Sequence, residues 1–345
     1  MADLLGLELS LGGSVIVFAV AGALAVVCTT RLVALGDALA DRTGWGEAIF
    51  GAVFFGLATS LSGIVMTATT AASGEPSLAY SNAIGGIAAQ TLAIVIADVM
   101  HPRGNLEHAA ASLSNMLFGC LLILLLTLAL MGSLSPEMIV LGMHPASLVM
   151  VAVYGGGLWL IRKQPEPMWR AVRTTETYPD VPTEHGRLTR RGSAGLWAEF
   201  LSIAAIVVAG GWAVAEAAQR VVVLTGLSSS FTGAVLMGLI NALPEIVAAV
   251  AAVQRGAVTL AVATIVGGNC LDVLNLALGD LVYGGSSLYH AVGRQELFTT
   301  GSALLMVTIL LGGLLLRQRR GWMKIGFDGV LILVVYIVTV GVLMT

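Results

Sequence analysis

Charge is the scarcest property of this sequence. Only 11% of its 345 residues are charged, whereas 57% are hydrophobic and the mean hydropathy is +0.92. So few charged side chains do not cover the surface of a water-soluble domain, and apolar runs long enough to cross a bilayer recur along the whole chain. The composition therefore predicts an all-α integral membrane protein that spans the bilayer several times.

Cysteines and catalytic motifs are also scarce. The three cysteines, Cys28, Cys120 and Cys270, lie in apolar segments without metal-ligand spacing, so we expect packing roles and no disulfide framework. The sequence contains neither H-E-x-x-H nor G-x-S-x-G, and it shows no recognisable pair of catalytic aspartates. We therefore expect no enzymatic activity and no cofactor.

Apolar segments of about 20 residues predict ten transmembrane helices. Their approximate limits are 12–35, 48–72, 77–99, 110–131, 138–161, 196–224, 231–253, 257–282, 297–316 and 325–344. The polar stretch 162–195, which contains four prolines, separates a first half, 1–161, from a second half, 196–345. Its composition is typical of a flexible tether.

The basic residues indicate how the helices are oriented. If the N-terminus lies outside, 15 of the 17 Lys and Arg residues fall in cytoplasmic connections, and only Arg220 and Arg294 fall outside. We therefore expect both termini outside and the 162–195 loop in the cytoplasm, with a prokaryotic cytoplasmic membrane as the location. Since the basic residues follow topology, they form no surface for nucleic acid.

An internal repeat relates the two halves. Shifting the chain by 182 residues aligns 51–98 with 233–280 without a gap, and 15 of the 48 positions are identical, Gly85/Gly267 and Gly86/Gly268 among them. The repeat pairs the second and third predicted helices with the seventh and eighth. Because the offset is five helices, an odd number, the halves are predicted to have inverted topology, with substrate bound at their interface.

Four polar side chains in the largely apolar stretch Gly238–Asp280 form two closely spaced amide–acid pairs. They are Asn241, Glu245, Asn269 and Asp272. A carboxylate near the centre of a bilayer costs several kcal/mol unless it is compensated, so these acids indicate a functional site. Pro244 removes a backbone N–H beside Glu245 and predicts a broken helix with a free carbonyl at Ile240, an arrangement typical of cation sites in membranes.

These residues resemble the alpha-repeats of the sodium/calcium exchanger superfamily, the cation/calcium antiporters. The signature is a G-T-S-L-P-E-like turn followed by an N-x-x-G-S-N-I-x-[ND]-like turn on the next helix. The second half matches it with N-A-L-P-E (Asn241–Glu245) and G-G-N-C-L-D (Gly267–Asp272), and the first half with A-T-S-L-S-G (Ala58–Gly63) and N-A-I-G-G-I-A-A-Q (Asn82–Gln90). The resemblance extends to the ten helices, the central loop and the outside termini.

The first half departs from this signature. The family usually places an acid in both repeats, but here Gly63 stands opposite Glu245, and Gln90 stands opposite Asp272. The fixed charge of the predicted site therefore comes from one half. Whether Glu199 or Glu216 supplies the missing acid is left open by the sequence.

The predicted site and function follow from these residues. The expected cation ligands are Glu245, Asp272, Asn269, Asn241, Thr59, Ser60, Asn82 and Gln90. Two carboxylates and several neutral oxygens suit one Ca²⁺, and a desolvated acid also takes up a proton. The resemblance implies an antiporter that exchanges Ca²⁺, or another cation, for Na⁺ or H⁺. The alternative is an uncoupled passive cation pathway or sensor. The expected partners are inorganic cations and the lipid bilayer, and no oligomer is required.

Overall fold

The computed structural model describes residues 10–43, 56–100, 105–163, 192–254, 258–284, 286–318 and 325–345. In these residues β-structure is limited to isolated bridge residues, namely Val140 paired with Met143, and Ile325. Their long helices are α1 (Leu11–Thr43), α2 (Gly56–Ala72), α3 (Pro76–Met100), α4 (Leu113–Leu134), α5 (Pro145–Arg162), α6 (Ser193–Thr225), α7 (Ser229–Gln254), α8 (Val258–Tyr283), α9 (Arg294–Leu316) and α10 (Phe327–Leu343).

Eight of the helices in the described part of the chain are long and apolar enough to cross a membrane. The apolar parts of α2 (Ser60–Ala72) and α10 are shorter. The helical class is therefore confirmed, while the count of ten transmembrane helices stays a prediction. The expected start of the second helix at 48, and most of the 162–195 tether, lie outside the described residues.

Two predicted helix limits differ from the observed ones for local reasons. Helix α1 continues past 35 to Thr43, because Leu35 and Leu39 are buried against Leu196 of α6. Helix α5 begins at Pro145 instead of about 138, because Leu141 and Gly142 both have positive φ and turn the chain just before it. The ring of His144 then caps α5 by accepting a hydrogen bond from the amide of Ala146.

The helix limits recur along the chain at the spacing of the sequence repeat. Adding 182 to both limits of α1 gives those of α6, and adding it to those of α2 gives Gly238–Gln254, the α-helical part of α7. The limits of α3, α4 and α5 reappear in α8, α9 and α10 to within one residue. The two halves therefore consist of the same five elements in the same order.

The centre of the bundle is built around α3, in which every residue from Leu78 to Thr91 is buried. This helix packs against α2, α7 and α8, while α2 packs also on α8 and α6. Helix α1 lies mainly along α6 at the periphery. Between Leu11 and Val27 its exposed side chains, such as Val15, Ile16 and Val27, are apolar, as expected for a surface that faces lipid.

Glycines bring the backbones of α3 and α7 into contact. A Cβ atom on Gly85 would overlap the backbone of Ala234, and one on Gly238 would lie 2.8 Å from the carbonyl carbon of Gly85. A Cβ on Gly233 would lie 2.7 Å from the carbonyl oxygen of Leu78. Helices approach this closely only where small residues face each other.

Pro244 does not break α7, contrary to the prediction. The α-helical part of α7 runs without interruption from Gly238 to Gln254 with Pro244 inside it. The irregular part of α7 is the segment Thr232–Met237, which precedes this α-helical part and forms a π-helical turn. Proline still leaves the carbonyl of Ile240 without its helical donor, but the packing of α7 against α3 keeps the helix continuous.

Adding a methyl group where a described glycine lies closest to other backbone atoms should destabilise the protein. We expect Gly85→Ala to lower the free energy of unfolding by about 2–3 kcal/mol, because its Cβ meets backbone atoms that do not rotate away. The measurement is the thermal unfolding midpoint of the purified protein in detergent. Gly301→Ala on α9, whose Cβ meets no atom within 4 Å, is the matched control and should leave the midpoint unchanged or raise it. Equal midpoints for the two variants would contradict the close approach.

Candidate cation site

Four helices form a closed ring around the predicted site. The side chain of Asn241 on α7 lies against Gly63 on α2 and Gly86 on α3. One turn further along α3, Gln90 reaches Asp272 on α8. Ser60, one turn before Gly63, also faces Asp272. Helices α7, α2, α8 and α3 therefore meet in this order around one buried centre.

Asp272 is held in the ring by neutral hydrogen-bond donors. The Nε2 of Gln90 donates to its Oδ2 over 2.7 Å, and the Nδ2 of Asn275 donates to its Oδ1 over 3.2 Å. Asp272 and Gln90 occupy equivalent positions of the two halves, so this bond joins the halves at their repeat-related positions. Neutral donors stabilise a buried carboxylate without neutralising its charge.

Asn241 occupies the notch that two glycines leave open. A Cβ on Gly63 would lie 2.5 Å from Asn241 Oδ1, and one on Gly86 would lie 2.7 Å from Asn241 Nδ2. The amide of Asn241 therefore fills the space beside Gly63, the position at which the first half carries no acid. Both polar atoms of the Asn241 side chain are buried and have no hydrogen-bond partner among the described residues.

Three of the four ring amides, Asn82, Gln90 and Asn269, have acceptors for their nitrogens, and their oxygens have no described donor. Asn82 Nδ2 donates to the carbonyl of Gly63 and to Thr67 Oγ1, and Asn269 Nδ2 donates to Thr91 Oγ1. In the described part of the chain no donor meets their oxygens. The side-chain oxygens of Gln90 and Asn241 also have no donor there. All four amides, Asn82, Gln90, Asn241 and Asn269, are at most 1% exposed.

A buried acceptor without a donor costs about 1–3 kcal/mol, so several together need a physical explanation. A cation supplies one, because it binds oxygens that no hydrogen-bond donor satisfies. Carboxylates and amide oxygens suit hard cations such as Ca²⁺ and Na⁺. The described residues contain no cluster of three or more His, Cys, Asp or Glu side chains suited to a softer metal.

The remaining predicted ligands are placed as follows. Glu245 lies one turn after Asn241 on α7 and its side chain is fully buried. Thr59 lies on α2 one residue before Ser60, but its side chain is outside the described part of the structure. The structure thus places Ser60 and Gln90 against Asp272, and it places Asn241 against Gly63 and Gly86 of the same two helices.

Neither candidate replacement for the missing acid is seen at the ring. Glu199 Oε1 accepts bonds from Arg31 on α1, the shorter of them 2.6 Å long, and both side chains are partly exposed. Helix α6 touches α2 at Gly211, twelve residues beyond Glu199 and hence about 18 Å along the helix axis. Glu216 is partly exposed, and no described contact joins it to Glu245.

Sequence reasoning missed three polar neighbours of the ring. Asn275 bonds to Asp272, and the hydroxyls of Thr67 and Thr91 accept from Asn82 and Asn269. The signal for Asn275 was its spacing, since a residue three positions after Asp272 shares its helix face. The two threonines have no such signal, because their partners lie on other helices.

Asp98 and Asp280, the two acids near the ends of α3 and α8, are buried at 4% and 1% exposure. Each accepts one backbone N–H eight residues later, from Leu106 and Leu288, and one from the opposite half. Gly326 donates to Asp98 and His144 donates to Asp280. These two acids are structural caps, and their donors are related by the same 182-residue offset.

The surroundings of Asp98 and Asp280 differ in the number of acidic side chains. Ser147 completes the shell of Asp280 and also contacts the Tyr289 hydroxyl. At the other end, Glu107 and Asp328 are buried beside Asp98. Burial, followed by the negative charges of Asp328 and Asp98, raises the pKa of the Glu107 carboxyl to about 8.

The architecture and the ring together define an integral membrane protein with a buried centre suited to hard cations. A family profile described as "Sodium/calcium exchanger protein" matches residues 13–162 and 195–345. The chain belongs to the sodium/calcium exchanger protein family. The family consists of secondary transporters, not enzymes, so the expected lack of enzymatic activity agrees with it.

Solved structures agree on the fold. The H⁺/Ca²⁺ exchanger CAX superposes with a TM-score of 0.69 at 14% identity, covering 96% of this chain and 85% of its own. The sodium-calcium exchanger NCX_Mj gives 0.62 at 16% identity, with 95% and 97% coverage, and native YfkE gives 0.60 at 15%, with 95% and 91%. Comparison with curated protein sequences gave no match.

Removing a capping acid should reduce stability without affecting cation binding. Asp280→Ala leaves the amides of His144 and Leu288 and the hydroxyl of Ser147 without their acceptor, so we expect a loss of about 3 kcal/mol or more. The measurement is the thermal midpoint with and without saturating Ca²⁺. The shift that Ca²⁺ causes should persist in Asp280→Ala and disappear in Asp272→Asn. The reverse pattern would contradict the assignment of the two acids.

The raised pKa of Glu107 predicts a pH-dependent stability. Between its ordinary value of 4.5 and about 8, the folded protein holds a proton that the unfolded chain has lost. Stability should therefore fall as pH rises through this window, and Glu107→Gln should flatten the fall. Thermal midpoints across the window test this, with the exposed Glu137→Gln as control. A wild-type midpoint that rises over the same range would contradict the assignment.

Proposed function

We propose that this protein is a secondary active antiporter that exchanges Ca²⁺, or another cation, for Na⁺ or H⁺ by alternating access. The observation that carries this proposal is the buried ring, in which amide oxygens without described donors lie on the same four helices as the buried Asp272 and Glu245. Such a set of oxygens is costly without a cation and stable with one.

The exchange follows from competition for the same charges. A divalent cation and the coupling ions neutralise the same two carboxylates, so the binding of one species displaces the other. Alternating access then requires that the bundle opens the ring to one side at a time. The named relatives include one sodium-calcium exchanger and one H⁺/Ca²⁺ exchanger, so both Na⁺ and H⁺ stay candidates for coupling.

The proposal includes the topology. We propose ten transmembrane helices in two inverted five-helix repeats, 1–161 and 196–345, with outside termini and a cytoplasmic 162–195 linker. The 182-residue recurrence of helix limits supports this arrangement, as do the separate family matches to each half and the reciprocal caps of Asp98 and Asp280. The Gln90–Asp272 bond fits a two-fold axis that passes between the two side chains.

Gly63 favours the alternative of a passive pathway or sensor, because the first half lacks the acid that stands at Glu245 in the second. The two functions differ in their need for an ion on the opposite side. An exchanger takes up Ca²⁺ only against a trans ion, whereas a passive pathway does not need one.

Calcium uptake into proteoliposomes tests the exchange. We expect an outward Na⁺ gradient or an outwardly directed H⁺ gradient to drive uptake, and Glu245→Gln to reduce the rate by at least about tenfold, a loss of about 1.4 kcal/mol in the driven step. Glu199→Gln, which removes an acid that pairs with Arg31 at the periphery, is the matched control and should transport normally. Uptake without any trans ion would support the passive pathway. No uptake in either gradient, with identical wild type and variant, would refute exchange of Ca²⁺.

A further inference from the structure

The charged side chains of the four ring helices are all acidic. Their ranges, 56–72, 76–100, 229–254 and 258–283, contain four carboxylates and no Lys, Arg or His. Two of these acids, Asp98 and Asp280, are fixed at the ends by backbone amides. The centre therefore has two carboxylates, Glu245 and Asp272, and no basic side chain on its own helices.

Packing around position 63 keeps a third carboxylate out of this centre. The repeat places Gly63 opposite Glu245, and the Asn241 amide fills the space in which a side chain at position 63 would begin. An acid at position 63 does not fit unless Asn241 moves away. Asn241 itself adds a neutral amide of nearly the same shape as aspartate. On the neighbouring helix α1, Arg31 is held by Glu199 at a partly exposed site.

A net charge buried in a low-dielectric centre is strongly unfavourable, so the occupied site is stable only when its charge is balanced. Two carboxylates are balanced by one divalent cation or by two monovalent ones. A third monovalent cation leaves a net positive charge that nothing in the ring compensates. The same argument applies to Na⁺ and to H⁺ as the coupling ion.

We propose that exchange by this protein is electroneutral, with one divalent cation transported against two monovalent cations, and that Asn241 sets this ratio by keeping a third carboxylate out of the ring. This inference rests on the proposed antiport of Ca²⁺. It assigns to Asn241 the control of stoichiometry through the charge of the site.

The steady-state Ca²⁺ accumulation ratio under a clamped potential tests the proposal. Proteoliposomes with a fixed Na⁺ or H⁺ gradient are held at zero or at about 100 mV with potassium and valinomycin, and the ratio of internal to external Ca²⁺ is measured. Transport of one net charge per cycle changes this ratio about 50-fold per 100 mV, because one charge then contributes about 2.3 kcal/mol. For the wild type we expect no change.

The outcomes separate the two levels of the proposal. Driven uptake with an unchanged ratio supports electroneutral exchange. Driven uptake whose ratio shifts by about 50-fold overturns the stoichiometry and leaves the antiport function standing. If neither gradient drives any Ca²⁺ uptake, the proposed function fails and the inference fails with it.

Asn241→Asp tests the role of Asn241 directly. A third carboxylate in the same notch should couple transport to an additional charge, so the accumulation ratio should become voltage-dependent. Gln254→Glu makes the same amide-to-acid change at the exposed end of the same helix and should stay electroneutral. A transporting Asn241→Asp protein whose ratio is still insensitive to voltage would overturn the assignment of Asn241. The wild-type measurement decides the stoichiometry even if the variant is inactive.

Discussion

The contact of α3 with α7, backbone against backbone, is the constraint on which the centre of this protein depends. Gly85 and Gly238 bring the two helices together, and Gly63 and Gly86 leave the notch that the Asn241 side chain fills. With any larger residue at these positions the helices would separate, and the amides of α3 and α7 would no longer face one centre. Because these glycines have no side chain, the helices come close enough for polar groups on neighbouring helices to converge.

Convergence has an electrostatic consequence. Polar groups that share a buried centre must satisfy one another or bind something from outside. In this ring the amide nitrogens of Asn82, Gln90 and Asn269 have acceptors, whereas their oxygens have no donors among the described residues. Asn241 has no described partner for either its oxygen or its nitrogen. The four amide oxygens that are left over outnumber the one amide donor, so the proposed preference for cations draws on these oxygens as well as on the two acids.

Much of the fold could be predicted from the sequence, because apolar length and the 182-residue repeat are both local or periodic signals. Of the predicted ligands, Ser60 and Gln90 lie against Asp272, and Asn241 lies between the two helices that carry them; their role as ligands stays a prediction. What sequence reasoning missed depends on contacts between distant segments. The burial of Asp98 and Asp280 requires amides from the other half, and the continuity of α7 through Pro244 depends on its packing against α3. The role of Asn241 as the filler of a glycine notch is likewise visible only once three helices are placed together.

The reciprocal caps bear on how the chain assembles during synthesis. Asp98 accepts one hydrogen bond from the backbone amide of Leu106, eight residues later. It accepts another from the amide of Gly326, which is translated 228 residues later. His144 donates to Asp280 across 136 residues in the opposite direction. Each half therefore holds a buried acid whose shell the other half completes, so neither half reaches its final structure alone. The shell of Asp98 is therefore incomplete until residue 326 has been synthesised, and the final packing of the first half depends on the second.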